Sequence, residues 1–177
     1  MARRPGSLRP LWLRPLRLAI PCLAFSALLG VNGCPRGALY ALQKESGFTQ
    51  GCFDPCMCPI QMTQPVEGSF ALIERSSDAP GLFREFDVRA VQWLVKRGAN
   101  PIRITGSGRY RVGGEVALTQ QLELDLQLGG GPLQHFDSGL VPGGGDFPAI
   151  DVRISINGEF CYDTVIDVVA VPVASTL

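Results

Sequence analysis

The sequence predicts an all-β protein, a small antiparallel sandwich or barrel that is built mainly as a meander and stapled by disulfides. Apolar and polar residues alternate with a period of two over several short segments, which is the pattern of strands with one buried face. Glycine and proline are frequent, at 21 and 14 of 177 residues, and they separate these segments as turn residues do. A chain of this length suits one domain.

The N-terminal segment has the composition of an export signal. The first 17 residues contain five arginines, no acidic residue precedes Glu45, and an uncharged stretch runs from Leu18 to Val31. A basic segment followed by an apolar one is the layout of a secretory signal. The apolar stretch is shorter than the roughly 18 residues that a membrane-spanning helix needs. Residues 1–33 are therefore predicted to be a signal peptide, with cleavage between 33 and 41.

The end of this segment, Val31-Asn32-Gly33-Cys34, resembles a bacterial lipobox, in which the cysteine becomes the lipidated first residue. Gly33 and Val31 fit that pattern, whereas Asn32 is unusual at its position. Ordinary cleavage nearby, for example after Ala41, is the alternative and would discard Cys34. Both alternatives place the mature chain outside the cytoplasm: periplasmic, extracellular or attached to the membrane surface through Cys34, without a transmembrane span.

Removal of the leader changes the charge balance. The chain has 16 basic and 16 acidic residues, and residues 1–33 hold five of the basic ones, which leaves 11 basic against 16 acidic residues. Proteins that bind nucleic acid carry basic patches, so no nucleic-acid partner is expected. Adhesion to anionic lipid by charge alone is not expected either.

The cysteines predict a disulfide framework. Cys22 lies in the leader, and four cysteines remain in the folded domain whether Cys34 is lipidated or removed: Cys52, Cys56, Cys58 and Cys161. In an oxidising compartment an even number predicts two disulfides, for which three connectivities exist. Because three of the four cysteines are close together, one bridge is expected to be local and the other to reach Cys161.

A thiolate metal site is the alternative interpretation of these cysteines. Four sulfur ligands would suit zinc or copper(I). The usual zinc pattern has two paired clusters such as Cys-x2-Cys, and the chain has no second pair. An exported protein also meets oxidant before it meets much free metal. We therefore expect disulfides, and no metal or other cofactor.

Residues 34–51 are mixed and polar, and they are predicted to be a flexible lead-in to a single β domain over residues 52–172. Within that domain, Phe83–Arg97 is rich in β-branched and aromatic residues, which favours a strand. The alternation slips between Ala90 and Val91, and such a slip predicts a bulge or a change between two strands. A short helix in the same segment is the alternative.

Three later segments alternate most regularly: Ile102–Val112, Leu122–Leu128 and Ile150–Ile156. Gly113-Gly114 predicts a tight hairpin turn after the first of them. Asn157-Gly158 predicts another after the third, because both residues tolerate positive φ.

The predicted turn at Asn157-Gly158 fixes the expected register of the last hairpin. A two-residue turn would place Ile154 opposite Cys161 and direct Cys161 toward the core. A buried disulfide suits that position better than an exposed thiol does. Asp163 and Asp167, on the returning strand, are expected to face solvent or to cap a bulge.

The sequence contains no catalytic motif, and no enzyme is predicted. The single histidine, His135, lies near Asp137, but a catalytic base needs a nucleophile or substrate partner that the sequence does not supply. We interpret it as a loop or strand-edge residue. Asp137, Asp146 and Asp151 flank glycine-rich loops and would bind calcium if the loops converged, although calcium takes roughly six to eight oxygen ligands.

Four segments together resemble a group of exported bacterial proteins with no assigned function. They are residues 51–59 (GCFDPCMCP), 68–70 (GSF), 104–108 (ITGSG) and 157–163 (NGEFCYD). The resemblance covers most of residues 51–170 and implies no activity and no binding residues. It implies that the early cysteine cluster belongs with a late Asn-Gly hairpin.

These observations leave three functional hypotheses. The first is a noncatalytic exported structural or adhesive β module, with or without a lipid at Cys34. The second is an extracytoplasmic module that binds sugar or another small ligand through exposed aromatic residues, for which Trp93, Tyr110 and Phe136 are the candidates. The third is a protein that binds metal through the cysteine thiolates.

Overall fold

The computed structural model describes residues 37–56, 61–75, 81–143 and 147–173. These residues form ten strands: β1 (Gly37–Leu42), β2 (Gly47–Cys52), β3 (Gln61–Glu74), β4 (Phe83–Val95), β5 (Ile102–Gly113), β6 (Thr119–Leu128), β7 (Leu133–Asp137), β8 (Val141–Pro142), β9 (Ile150–Ser155) and β10 (Tyr162–Pro172). No helix long and apolar enough to cross a membrane occurs in this part of the chain.

The strands close into a ring. The order around it is β2–β3–β4–β5–β6–β7–β9–β10, and β10 pairs again with β2. Every pairing between described strands is antiparallel. Each strand of the ring lies beside the next one in sequence, apart from the short β8, which pairs with β6. The predicted all-β antiparallel meander is confirmed, in its barrel form.

The first two strands share one position in the ring. β1 and β2 both pair with β10 and β3, at opposite ends of those strands. Between β1 and β2, the hydroxyl of Ser46 donates to the carbonyl of Val169 and accepts from its N–H. The prediction of a flexible lead-in over 34–51 is therefore wrong for residues 37–51. The polar residues of 43–51 are misleading, because only alternate residues of a strand, such as Phe48, face the core.

Apolar side chains fill the inside of the ring. Tyr40 and Phe70 stack with 5.4 Å between ring centroids, and Trp93 meets Phe70 edge-on at 6.1 Å. Phe86 and Tyr110 form a second aromatic group, 5.9 Å apart. The rest of the core comprises Phe48, Val66, Leu72, Val88, Val91, Val95, Ile104, Val112, Leu122, Leu124, Leu126, Phe136, Ile150, Val152, Ile154, Ile166, Val168 and Ala170. Since side chains occupy this interior, the outer surface is where ligands and partners have access.

β4 contains the predicted bulge. The register with β5 changes from Val88 opposite Gly108 to Val91 opposite Gly106, so β4 holds one residue more than its neighbour between these pairs. Ala90 has a φ of 51°, in the left-handed region. A residue inserted in this way explains the slip in the alternation, and the alternative of a short helix is wrong.

Gly106 and Gly108 let β5 and β6 approach each other closely. A Cβ at Gly106 would lie 2.1 Å from the carbonyl oxygen of Asp125, and one at Gly108 would lie 2.0 Å from that of Glu123. No other residue fits in so little space. The two glycines therefore allow the sheet to curve around the ring.

The connection between β5 and β6 is longer than the predicted turn. Gly113 pairs with Thr119, so residues 114–118 form a five-residue loop, and the prediction of a tight turn at Gly113-Gly114 is wrong. A Cβ at Gly113 would lie 2.0 Å from the carbonyl oxygen of Leu82, and the N–H of Gly114 donates to that same oxygen. Gly113 therefore accommodates a neighbouring segment, whereas Gly114 gives room to the loop itself, because a Cβ there would lie 2.1 Å from the carbonyl oxygen of Ala117.

The ring has two ends, and they differ in the side chains they expose. We call one end the N-terminal rim, because β1 starts there; β4, β6 and β9 also start there, and β3, β5 and β10 end there. We call the opposite end the cysteine rim, because Cys52 pairs there with Tyr162. The connection from β9 to β10 lies at the cysteine rim.

Candidate functional site

The connection between β9 and β10 is the most elaborate loop of the described chain. Ile154 pairs with Ile166 instead of Cys161, so the prediction of a two-residue turn at Asn157-Gly158 is wrong. Cys161 lies in the loop and not on the core face. We call residues 156–163 the aromatic loop.

Asp163 organises this loop from the inside. Its carboxylate accepts hydrogen bonds from four backbone N–H groups: those of Ile156 (3.3 Å), Asn157 (3.1 Å), Glu159 (2.8 Å) and Thr164 (2.7 Å). The side chain is only 2% exposed, so the expectation that it faces solvent is wrong. The four hydrogen bonds to this carboxylate take the place of the backbone hydrogen bonds that a tight hairpin would have formed between its two strands.

A disulfide fixes the far end of the loop. Cys161 is bonded to Cys56, 105 residues earlier, with 4.7 Å between the Cα atoms. The N–H of Phe53 donates to the carbonyl of Cys161 at 2.8 Å. Cys52 is also disulfide-bonded, whereas Cys58 lies outside the described residues. The aromatic loop is thus fastened to the turn that follows β2.

The loop presents two aromatic side chains to solvent. Phe160 is 61% exposed and Tyr162 is 64% exposed, and they flank Cys161 on either side. Met62 and Leu133 are also exposed at the cysteine rim. Among the large apolar side chains that the described residues expose, Phe160 and Tyr162 are the aromatic ones. The cysteine rim therefore combines exposed aromatic surface with a backbone held by a buried carboxylate and a disulfide.

A groove on the outer wall adjoins the loop. It encloses about 480 Å³ and is lined in part by Thr49 and Phe53. Arg153 lies in it and contacts Asp167 at 2.6 Å and Glu159 at 3.3 Å. The hydrogen bond to Asp167 raises the pKa of the Arg153 guanidinium above its ordinary value. This ion-paired wall supports the aromatic loop from the side, through Glu159.

The aromatic residues that the sequence offered for sugar binding are inside the ring. Trp93 and Tyr110 are 1% exposed, and Phe136 is fully buried. Burial raises the pKa of the Tyr110 phenol, whose hydroxyl donates to Gln120. The expectation that these three residues are exposed is wrong, because their alternation in β4, β5 and β7 directs them to the core.

His135 lies on the outer wall with Asp125, in a shallow groove of about 610 Å³. Its Nδ1 is 2.9 Å from a carboxylate oxygen of Asp125, so the histidine pairs across strands with Asp125 and not with Asp137. The register places Ser107, Asp125 and His135 in one row across β5, β6 and β7. The carboxylate lies between the hydroxyl and the imidazole, whereas a nucleophilic serine needs the imidazole next to it.

The carboxylates considered for calcium do not form a ligand set among the described residues. Asp137 accepts from Gln121 and from the backbone of Gly139, and Asp151 is in β9. Asp146 lies outside the described residues. No group of three or more histidine, cysteine or carboxylate side chains within the described ranges has the geometry to hold a metal ion.

The disulfides bear on the other cysteine hypotheses. Cys52, Cys56 and Cys161 are oxidised, which is incompatible with a zinc or copper site made of four thiolates. A disulfide also indicates that the protein resides in an oxidising, extracytoplasmic environment. Cys34 lies outside the described residues, so its lipidation stays a prediction.

Sequence reasoning missed Phe160, Tyr162 and Asp163 as a unit. The signal was present, because a carboxylate lies five residues after Gly158 and two aromatic residues alternate with Cys161. A comparison with family models, curated proteins and solved structures finds no match for this chain.

Proposed function

We propose that the chain is an exported, noncatalytic adhesive module that binds a protein partner through the aromatic loop and is anchored to the membrane by a lipid on Cys34. The observation that carries the proposal is the exposure of Phe160 and Tyr162 on a loop that Asp163 and a disulfide hold in place.

Exposed aromatic side chains on a fixed backbone suit a binding surface. Each buries roughly 150–250 Å² when covered, and aromatic residues and methionine are enriched where protein interfaces form. A loop that is already ordered loses little conformational entropy on binding. Phe160 and Tyr162 meet these conditions, and exposed Met62 and Leu133 extend the same rim.

The loop conformation is itself held against local strain. Glu159 and Cys161 have φ angles of 61° and 53°, in a region that side-chain-bearing residues avoid. Such positions persist only where surrounding contacts enforce them. Here the contacts are the four hydrogen bonds to Asp163 and the bond to Cys56. Because the loop keeps these unfavourable backbone angles, its fixed conformation supports a role in binding.

The outer wall supports the noncatalytic part of the proposal. The row of Ser107, Asp125 and His135 is in the wrong order for a serine nucleophile, as described above. The imidazole and carboxylate are both more than half exposed, where an ion pair contributes little energy. This row has the character of a solvated outer face.

Site-specific photocrosslinking tests the proposal. A benzophenone amino acid is placed at Phe160 of the full chain, and a second variant carries it at Asp125 on the wall. Irradiation of intact producing cells should yield one discrete protein adduct from position 160 and none from position 125. The proposal fails if position 160 gives no adduct, or if both positions give the same adducts. An adduct that contains carbohydrate instead of protein would favour the sugar-binding alternative.

A further inference from the structure

The two rims expose different kinds of apolar side chain. At the cysteine rim, the exposed set includes both aromatic residues. At the N-terminal rim, the large apolar side chains that the described residues expose are aliphatic, and they include Leu39, Leu82, Val116, Leu118, Val171 and Val173. Val116, in the loop between β5 and β6, is 98% exposed. Monomeric soluble proteins seldom concentrate apolar surface in this way without a use for it.

Backbone contacts gather these aliphatic residues at the rim. The N–H of Gly114 donates to the carbonyl of Leu82, which places Leu82 beside the loop that carries Val116 and Leu118. On the other side of the ring, the N–H of Val173 donates to the carbonyl of Leu39. The aliphatic groups therefore lie at several points around one end of the ring, and Leu82, Val116 and Leu118 lie close together.

We infer that the N-terminal rim rests on the lipid bilayer, with Leu82, Val116 and Leu118 inserted at the level of the headgroups. This inference rests on the proposed anchor at Cys34. Two residues, Pro35 and Arg36, separate Cys34 from Gly37, where β1 begins, and the three steps from one Cα to the next span at most about 10 Å. A lipid on Cys34 thus keeps the N-terminal rim close to the membrane surface and the cysteine rim at the far end of the ring.

The charges at this rim are compatible with contact to lipid. Arg84 of β4 pairs with Glu74 of the neighbouring β3 at 2.9 Å, and Arg75 pairs with Glu85 at 3.4 Å. Paired groups carry a lower desolvation cost than isolated ones. Glu115, next to Val116, is exposed, and its carboxylate reaches water at headgroup level in this orientation. Contact is therefore apolar in origin, in agreement with the mildly acidic composition.

The orientation has a consequence for the cysteine rim. β10 joins the two rims with 11 residues, which is about 35 Å of strand. Strands in such rings tilt by roughly 35–45°, so the rims are about 25–30 Å apart along the axis. A lipid contact at Val116 therefore keeps Phe160 and Tyr162 clear of the membrane and available to a partner.

Tryptophan fluorescence in vesicles tests the inference. Val116→Trp and Phe160→Trp variants of the full chain are expressed with the native leader, purified from membranes and reconstituted into phosphatidylcholine–phosphatidylglycerol vesicles with and without brominated acyl chains. Trp93 gives a constant background because it is buried in the core. Brominated lipid should quench the tryptophan at position 116 and leave the one at position 160 unchanged. Quenching at 160, or none at 116, overturns the inference.

Mass spectrometry of Cys34 in the same samples separates the two proposals. If Cys34 is lipidated and position 116 is not quenched, the anchor stands and the rim contact fails. If Cys34 carries no lipid, the anchor fails, and the rim contact is tested by adding the same chains to vesicles. The contact would then be supported if the chain binds the vesicles and the double substitution Leu82→Ser and Val116→Ser weakens that binding about tenfold or more. Partitioning unaffected by these substitutions, or absent altogether, would contradict it.

Discussion

Asp163 is the residue on which the shape of the aromatic loop depends, and Asp163→Ala tests that dependence. The substitution removes the acceptor of four backbone N–H groups. Hydrogen bonds to a charged group contribute about 1.5–3 kcal/mol each. Water can reach the donors of exposed Asn157, whereas the N–H of Thr164 is buried with the carboxylate. We therefore count about two unreplaced bonds, which gives a loss of about 3–6 kcal/mol in the free energy of unfolding.

The assay is urea unfolding followed by circular dichroism, with hydrogen exchange of the loop amides as a local measurement. Asp163→Ala should unfold at a much lower urea concentration and lose protection at Thr164. Asp163→Asn should lose less, because one acceptor oxygen remains. Asp125→Ala is the matched control, since it removes an exposed carboxylate that pairs with His135, and it should change stability by less than about 1 kcal/mol. Equal stability of the variants at 163 and 125 would refute the reasoning.

Three further predictions concern the framework. Cys161→Ser opens a loop of 105 residues, which corresponds to about 4–5 kcal/mol in the chain-entropy model. At roughly 2–4 °C per kcal/mol, calorimetry should show a melting temperature that is lower by about ten degrees or more. Cys56, which loses its partner, should become reactive to maleimide. Burial raises the pKa of the Tyr110 phenol, so the folded protein disfavours its ionised form. The contribution of Tyr110 to stability should therefore not change below about pH 10 and should fall as the pH rises above it. Urea unfolding in alkali should show a larger loss for the wild-type chain than for Tyr110→Phe, and an equal loss in both would contradict this. Gly108→Ala places a Cβ 2.0 Å from a carbonyl oxygen of β6 and should cost about 3 kcal/mol or more in unfolding free energy, whereas Ser107→Ala, one residue away on the exposed face, should be nearly neutral.

Alternation in the sequence was enough to predict the strands and the fold class. The segments Ile102–Val112 and Ile150–Ile156 correspond to β5 and β9 within one residue, and Leu122–Leu128 corresponds to β6, which begins three residues earlier. The bulge at Ala90 was also detectable, because an inserted residue changes the phase of the pattern. These features depend on which face of the sheet each side chain occupies, and the alternation of apolar and polar residues indicates that face directly.

The loops and the site could not be predicted in the same way. Asn157-Gly158 has the composition of a two-residue turn, but the buried carboxylate of Asp163 supplies the loop amides with a better set of partners. Gly113 is required for the close passage of Leu82 and not for a turn. Such outcomes depend on residues that are distant in sequence or on one side chain with several partners.

The first strands were missed for a related reason. Residues 38–42 are apolar, but this run is short and a polar stretch follows it; the core-facing Tyr40 and Phe48 are eight residues apart. Their pairing with β10 closes the ring, and this contact joins segments more than 100 residues apart. A local pattern cannot reveal which segment completes a ring.

Binding of the purified chain to isolated cell envelopes of its own organism tests the central claim most directly, which is that the aromatic loop is the adhesive surface. We predict a saturable isotherm for the wild-type chain. The double substitution Phe160→Ser and Tyr162→Ser should raise the dissociation constant about tenfold or more, because it removes the side chains that anchor the interface. Leu82→Ser and Val116→Ser together, at the opposite rim, should leave the affinity for protease-sensitive envelope sites unchanged. Equal affinities for the wild-type chain and the Phe160/Tyr162 double variant would contradict the account.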